Sequence, residues 1–220
     1  MTAFWKLLAA LCLGALTAPA GAQAVAVDPG TPRGALKSLT VALDAGDEPA
    51  MRKLIAADNP QQQAWADAMI GFSAALAKVR AQSAQSFGPE AARGIVGDTA
   101  TATSAALQQI DQSTEESDGD RATVRSSDPQ DRPLTLRRVA GSWVVPVTSI
   151  TGEAAPDDFV PVTERLRRQT AAVESVTQDI ASGKLATPEQ AAQALQRRQF
   201  EARVGAGQPP VAPATTQSSS

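Results

Sequence analysis

The segment that most restricts the fold is residues 134–147, LTLRRVAGSWVVPV, because it has the pattern of a β-hairpin. Apolar and polar residues alternate on both sides of Ala140-Gly141, which supplies the turn. Pairing the two arms places five apolar side chains on one face: Leu134, Leu136, Trp143, Val145 and Val147. An antiparallel sheet with one apolar face needs helices to cover it. The predicted fold class is α+β, with N-terminal helices packed on a small antiparallel sheet and further helices after it.

Helical patterns lie on both sides of this hairpin. Three predicted helix starts share a capping residue followed by proline: Thr31-Pro32, Asn59-Pro60 and Thr187-Pro188. The long helix that starts at Asn59 carries an apolar stripe at helical spacing, formed by Trp65, Met69, Phe72, Leu76 and Val79. We expect this stripe to cover the apolar face of the hairpin. Residues 97–117 fit a helix or an extended segment, and helix is favoured.

Changes in composition divide the chain into five parts. Residues 1–24 have one lysine, a short apolar run and small residues at a cleavage position, as a secretory signal peptide does. Residues 31–150 form the predicted α+β domain, residues 151–158 a linker, and residues 159–204 the C-terminal helices. The Pro-, Ser- and Thr-rich residues 205–220 are predicted to be a disordered tail.

The signal peptide predicts a periplasmic or secreted bacterial protein, cleaved near Ala22 or Ala24. Its apolar run is too short to cross a bilayer, so no transmembrane segment is expected after cleavage. Cys12 raises the alternative of a lipoprotein, but it follows Leu11 in the middle of the apolar run rather than a small residue. We therefore interpret Cys12 as part of the discarded signal.

Composition excludes several kinds of chemistry. The chain has no His and no Tyr, and Cys12 is its one cysteine. After cleavage, disulfides, thiolate nucleophiles, Ser-His pairs and imidazole-bound zinc are therefore not available, and no cofactor is expected. Lys and Arg number 20 against 23 Asp and Glu, a net charge of −3. This mildly acidic balance argues against a nucleic-acid partner.

The order of elements resembles the NTF2-like, or cystatin-like, superfold over residues 31–150. The segments that carry the resemblance are TPRGALKSLTVALDAGDEPAMRKLIAAD, GDRATVRSS and LTLRRVAGSWVVPV, with the ALDAGD helix end and the GSWVVPV strand similar to those of secreted bacterial members. The resemblance implies a helical layer on a curved antiparallel sheet, with a pocket between them. Only about three strands are readable here. Enzymatic members pair an Asp base with Tyr, His or a protonated acid. Because this chain has no Tyr and no His, we transfer no catalytic residue.

Several groups of charged residues are candidates for chemistry. Four carboxylates concentrate in Glu115, Glu116, Asp118 and Asp120, but the spacing of a calcium loop is absent, which favours a solvated turn. A second acidic group could supply a pocket base or lie at a surface turn: Asp44, Asp47 and Glu48. Three arginine groups could hold an anion or form local ion pairs: Arg137-Arg138, Arg165 with Arg167-Arg168, and Arg197-Arg198.

Arg138, Trp65 and Trp143 are the candidate ligand-binding residues. Arg138 alternates with Leu134 and Leu136, so regular pairing directs it toward the helical layer, where an unpaired charge is costly. Either a bulge near Ala140 turns Arg138 outward, which we favour, or Arg138 marks a pocket.

Three functions are compatible with the sequence. We expect a non-enzymatic exported domain that binds a small molecule or an envelope protein. The alternatives are an isomerase or lyase that uses one carboxylate, and a structural adaptor that uses the C-terminal helices. In those helices Ala191, Ala192, Leu195 and Phe200 could contact a partner helix or dock on the protein's own core.

Overall fold

A computed structural model describes residues 30–205, and these residues form the predicted α+β fold with eight helices and five strands. The helices are α1 (Pro32–Ala45), α2 (Glu48–Leu54), α3 (Pro60–Phe87), α4 (Pro89–Val96), α5 (Thr99–Asp111), α6 (Val147–Thr151), α7 (Pro156–Ala181) and α8 (Pro188–Val204). The strands are β1 (Ile55–Ala56), β2 (Thr114–Asp118), β3 (Arg121–Arg125), β4 (Leu134–Val139) and β5 (Ser142–Pro146). The predicted signal peptide, and the predicted tail apart from Gly205, lie outside the described residues.

The predicted helix starts are confirmed, and each has a side-chain cap. The Thr31 hydroxyl accepts from the Gly34 N–H at 3.0 Å, the Asn59 carbonyl oxygen from the Gln62 N–H at 2.8 Å, and the Thr187 hydroxyl from the Gln190 N–H at 3.3 Å. The first N–H groups of a helix have no partner within it. Each cap gives one of them an acceptor, and the proline in the first turn has no N–H that needs one. Among residues 30–205, no helix has both the length and the apolarity that a bilayer crossing requires.

The five strands form one mixed sheet in the order β1-β5-β4-β3-β2. β2, β3, β4 and β5 pair antiparallel in sequence, whereas β1 pairs parallel with β5. The β4–β5 hairpin closes through Ala140 and Gly141, whose φ values of 49° and 85° are both positive, as a two-residue type I′ turn requires. Arg138 pairs directly with Trp143 and Val139 with Ser142, so the ladder runs to the turn without the bulge that we expected.

Residues 97–117 contain both structures that the sequence allowed. Thr99–Asp111 form helix α5, as favoured, and strand β2 begins near the end of this range, at Thr114. Strand β2 has the sequence TEESD and contributes no buried residue, so it lacks the alternation that identifies a half-buried strand. β2 is an edge strand that is held by its pairing with β3. The local sequence of β2 does not predict this pairing.

The cover of the sheet differs from our prediction. Helix α1 contacts β3 and β5 and α2 contacts β5, whereas α3 packs mainly along α7. The apolar stripe of α3 is divided between two clusters. Trp65 and Met69 join the apolar residues of the sheet in the first, and Phe72 and Val79 join helices in the second. A helix of 28 residues spans about 42 Å, far more than strands of five or six residues can cover.

The C-terminal helices pack on the rest of the molecule. Phe159 of α7 belongs to the first cluster, together with Trp65 and Trp143. The second cluster joins α3, α4, α7 and α8 through Phe72, Val79, Ile95, Val173, Val176, Ile180 and Leu195. Of the predicted linker, only residues 152–155 lie outside helices, because α6 ends at Thr151 and α7 begins at Pro156. Helix α7 therefore contacts both clusters.

Candidate functional site

A cavity of about 70 Å³ lies between the helical layer and the sheet. Its lining comes from α1, α5, the turn between α5 and β2, β3, the start of β4, and the loop that joins β3 to β4. The lining residues are Leu36, Thr40, Ala106, Gln109, Ile110, Ser113, Val124, Ser126, Asp131, Arg132 and Leu134. Largely apolar walls with a few polar groups are typical of small-molecule sites.

The apolar walls follow from helix and strand periodicity. Ala106 and Ile110 are one helical turn apart on α5, so both can face the same space. Val124 and Leu134 are paired across β3 and β4, which places them on the same face of the sheet. Leu36 on α1 completes the wall, and the hydroxyl of Thr40, one turn later, donates to the Leu36 carbonyl oxygen at 2.9 Å. The cavity thus has aliphatic sides held by regular elements.

Most of the polar groups lie on the loop between β3 and β4, at the end of α5 and in the turn that follows α5. The side-chain nitrogen of Gln109 donates to the Ser126 hydroxyl and to the Asp131 carboxylate, both at 3.0 Å. The Ser113 hydroxyl donates to the Ile110 carbonyl oxygen at 2.6 Å. Arg132 donates to the Thr148 carbonyl oxygen at 3.2 Å. The Gln109 amide therefore connects the loop to α5 within the lining of the cavity.

The predicted ligand-binding residues lie outside this cavity. Trp65 is 3 % exposed and packs edge-to-face on Phe159, with ring centroids 6.4 Å apart. Trp143 is 4 % exposed and belongs to the same core cluster. Arg138 is exposed; its guanidinium carbon lies 5.8 Å from the centroid of the Trp143 ring, and its Nε donates to the Gly141 carbonyl oxygen. The structure brings Arg138 and Trp143 together as a cross-strand pair, and Trp65 packs elsewhere in the core.

The acidic group at the end of α1 has structural contacts. Asp44 forms an ion pair with Arg80 at 2.6 Å, and Asp47 caps α2 by accepting from the Ala50 N–H at 3.0 Å. Glu48 lies 3.7 Å from Arg52, one helical turn later. These contacts fit the surface-turn interpretation better than a pocket base.

The group of four carboxylates lies on the β2–β3 hairpin. Glu115 pairs with Arg33 at 3.4 Å, and Glu116 with Arg125 at 3.9 Å. Among residues 30–205 no group of His, Cys, Asp and Glu side chains could hold a metal ion.

One arginine of each predicted group forms an ion pair, and only the pair of Arg167 with Glu164 is local in sequence. Arg137 pairs with Asp58, Arg167 with Glu164, and Arg198 with Asp179. Arg198 and, less strongly, Lys184 hold the pKa of the Asp179 carboxyl below its ordinary value. The hydroxyl and the N–H of Thr101 likewise lower the pKa of Asp98, which caps α5. Asp179 therefore connects α7 to α8, and Asp98 caps α5. Neither residue lines the cavity.

Sequence reasoning did not select Gln109, Asp131 or Arg132. The only signal was the polar loop SSDPQDRP between two predicted strands, and nothing in it shows that α5 returns to contact the loop. Asp131 is the one carboxylate among the residues that line the cavity.

The chain matches no protein-family model, and its comparisons with curated proteins and with solved structures give no significant match.

Proposed function

We propose that this protein is a non-enzymatic binding protein that holds a small amphipathic molecule in the cavity between α1, α5 and the sheet. The observation that carries the proposal is the composition of the cavity: aliphatic side chains form most of its walls, and its lining also includes the polar side chains of Gln109, Asp131 and Arg132. A ligand with an apolar end and a polar head matches that arrangement.

An NTF2-like architecture is part of the proposal. What supports it is the succession of a helix pair, a long helix and an antiparallel meander, with a cavity between helices and sheet. The proposal also includes export, which rests on the signal-peptide pattern of residues 1–24. In the periplasm or outside the cell, such a protein would hold its ligand without converting it.

A test of the proposal fills the cavity from α5. Ala106 is 2 % exposed and lines the cavity, whereas its neighbour Ala105 is exposed on the same helix. We expect Ala106→Met to abolish saturable binding of butanamide, a short amphipathic probe, measured by ligand-observed NMR, because the larger side chain occupies the space of the ligand. Ala105→Met is the matched control and should bind as the wild type does. Absence of saturable binding to the wild type, or equal binding by both variants, would contradict the proposal.

Two exposed apolar residues at the end of α8 favour a second function, that of an adaptor. Phe200 of α8 is 67 % exposed and Val204, one turn later, 44 % exposed. Ala191 and Leu195 of the predicted partner seam are instead buried in the second cluster, so a partner would contact the end of α8. Capture of a specific envelope protein by the wild type and its loss in Phe200→Ser would support this function.

A further inference from the structure

We infer that the end of α8 binds the surface of an anionic phospholipid bilayer, with the Phe200 ring among the lipids and arginines around it on the phosphate headgroups. The inference does not depend on ligand binding in the cavity. It concerns the surface that the adaptor function also uses, and it names a lipid surface rather than a protein as the occupant. The exposure of two apolar side chains and the charge of the residues around them carry it.

The last two turns of α8 present apolar and basic side chains on one arc of the helix. Phe200 is 67 % exposed, and Val204, one turn later, is 44 % exposed. At 3.6 residues per turn, Arg197, Arg203 and Val204 all lie within about 60° of Phe200 around the helix axis. Both arginines are exposed. The arc therefore consists of an aromatic ring and a branched side chain with an arginine on each side.

The arginines at this end of α8 have no acidic partner among residues 30–205. Arg197 and Arg203 form no ion pair there. Neither does Arg168 of α7, whose Nε donates to the Ala202 carbonyl oxygen at 3.3 Å and which therefore lies beside the last turn of α8. Glu201 is the one acidic residue in the sequence of the last two turns, 197–204, and it lies outside the arc. Positive charge thus predominates around the apolar pair.

This local charge matters more for a membrane surface than the net charge of the chain does. The chain has a net charge of −3, but physiological salt screens exposed charges beyond about 8 Å. Residues 206–220, which follow α8 in the sequence, contain no charged side chain. Each arginine close to an anionic lipid surface strengthens binding about 5-fold. The end of α8 is therefore attracted to anionic lipid although the whole chain is mildly acidic.

A bilayer suits this surface better than a protein partner does. A stable protein interface buries about 800 Å² on each partner and involves about 20–30 residues of each, whereas the exposed apolar part here consists of Phe200 and Val204. Lipids rearrange around a bound side chain, so a bilayer needs no surface of matching shape. One aromatic ring at the level of the headgroups, with arginines beside it, is a typical way for a peripheral protein to bind anionic lipid.

The test is sedimentation with vesicles of the chain expected after signal cleavage, residues 25–220. One set of vesicles contains phosphatidylcholine and phosphatidylglycerol in equal parts, and the other contains phosphatidylcholine alone. We expect the wild type to bind the anionic vesicles at least about 10-fold more strongly than the neutral ones, and to lose this preference as salt is added. The double variant Arg197→Gln with Arg203→Gln should bind the anionic vesicles about 25-fold more weakly, since it lacks two of the charges.

Two matched controls are available on the sheet. Arg121 and Arg138 are exposed and form no ion pair with residues 30–205, so Arg121→Gln with Arg138→Gln removes the same charge far from α8 and should bind as the wild type does. Phe200→Ser should weaken binding to the anionic vesicles about 10-fold, because the apolar ring is lost. Val139→Ser, at a residue that is 47 % exposed on β4, should leave binding unchanged.

The outcomes separate this inference from the functions proposed above. Equal binding to neutral and anionic vesicles, or an equal loss in the two arginine double variants, would overturn it. If the wild type binds neither kind of vesicle but captures an envelope protein through Phe200, the lipid inference fails and the adaptor function stands. Binding of butanamide in the cavity is measured separately and is not affected by any of these results.

Discussion

At the scale of single residues, the β4–β5 hairpin places a charged and an aromatic side chain directly opposite each other. Arg138 and Trp143 share one face of the sheet, as the alternation predicts. Trp143 is buried whereas Arg138 is exposed, since Arg138 lies one residue pair from the turn and its long side chain extends over the ring. Alternation therefore assigns a side chain to a face but does not tell how far the core extends along that face.

The first prediction concerns this pair. We expect Trp143→Ala to lower the free energy of unfolding by about 3–5 kcal/mol, because a large buried ring leaves a cavity. Arg138→Ala should cost only about 0.5–1 kcal/mol, which is typical of an exposed cation–π contact. Urea unfolding followed by circular dichroism measures both variants. A nearly neutral Trp143→Ala would show that the ring does not hold the sheet to the helical layer.

At the scale of elements, helix α1 ends at a glycine that lies against α3. Gly46 terminates α1 with a φ of 67°, and a Cβ there would lie 2.6 Å from the Cβ of Ala77 on α3. The ALDAGD sequence predicted the end of this helix, and its glycine serves two purposes: it adopts the left-handed conformation and lets two helices approach.

The second prediction separates these two purposes. Gly46→Ala should destabilise the protein by about 2–4 kcal/mol, because the strained backbone and the overpacking against α3 add together. Gly119→Ala is the matched control: Gly119 has a φ of 59°, but no atom lies within 4 Å of its added Cβ. This control should cost only the backbone part, about 1–2 kcal/mol. Equal losses in thermal or urea unfolding would mean that the approach of α1 to α3 is not tight.

At the scale of the whole molecule, α3 and α7 connect the two clusters. The N-terminal part of each helix contributes to the cluster beside the sheet, through Trp65 and Phe159, and later residues contribute to the helical cluster, through Val79 and Val176. These helices form the most extensive contact between elements in residues 30–205. The apolar stripe of α3 is therefore buried mainly by residues that follow the sheet in sequence.

The third prediction is that a chain lacking residues 153–220 does not fold cooperatively. Its loss of α7 and α8 would expose Trp65, Phe72 and Val79, which that truncated chain could not cover. Circular dichroism should show no sharp thermal transition, and tryptophan fluorescence should shift to longer wavelength. Deletion of residues 206–220 alone is the control and should leave the transition unchanged. A sharp transition in the larger deletion would show that residues 31–150 form an independent domain.

The sequence alone was sufficient for the features that depend on neighbouring residues. Caps at Thr31, Asn59 and Thr187 predicted three helix starts, and alternation in residues 134–147 predicted the hairpin. The α+β class followed from combining these signals. Such features are local, because hydrogen bonds within one turn and side-chain periodicity act over a few residues.

Only the tertiary structure decided which surfaces meet. The apolar stripe of α3 shows that the helix must be buried, but any sufficiently apolar surface could bury it, and its main partner is α7 rather than the hairpin. Strand β2 carries no buried residue and is defined by its pairing with β3. The cavity depends on contacts between residues distant in sequence, such as Gln109 with Asp131 and Arg132 with Thr148. Burial is non-directional, so apolar residues predict that contact occurs and the folded chain determines with what.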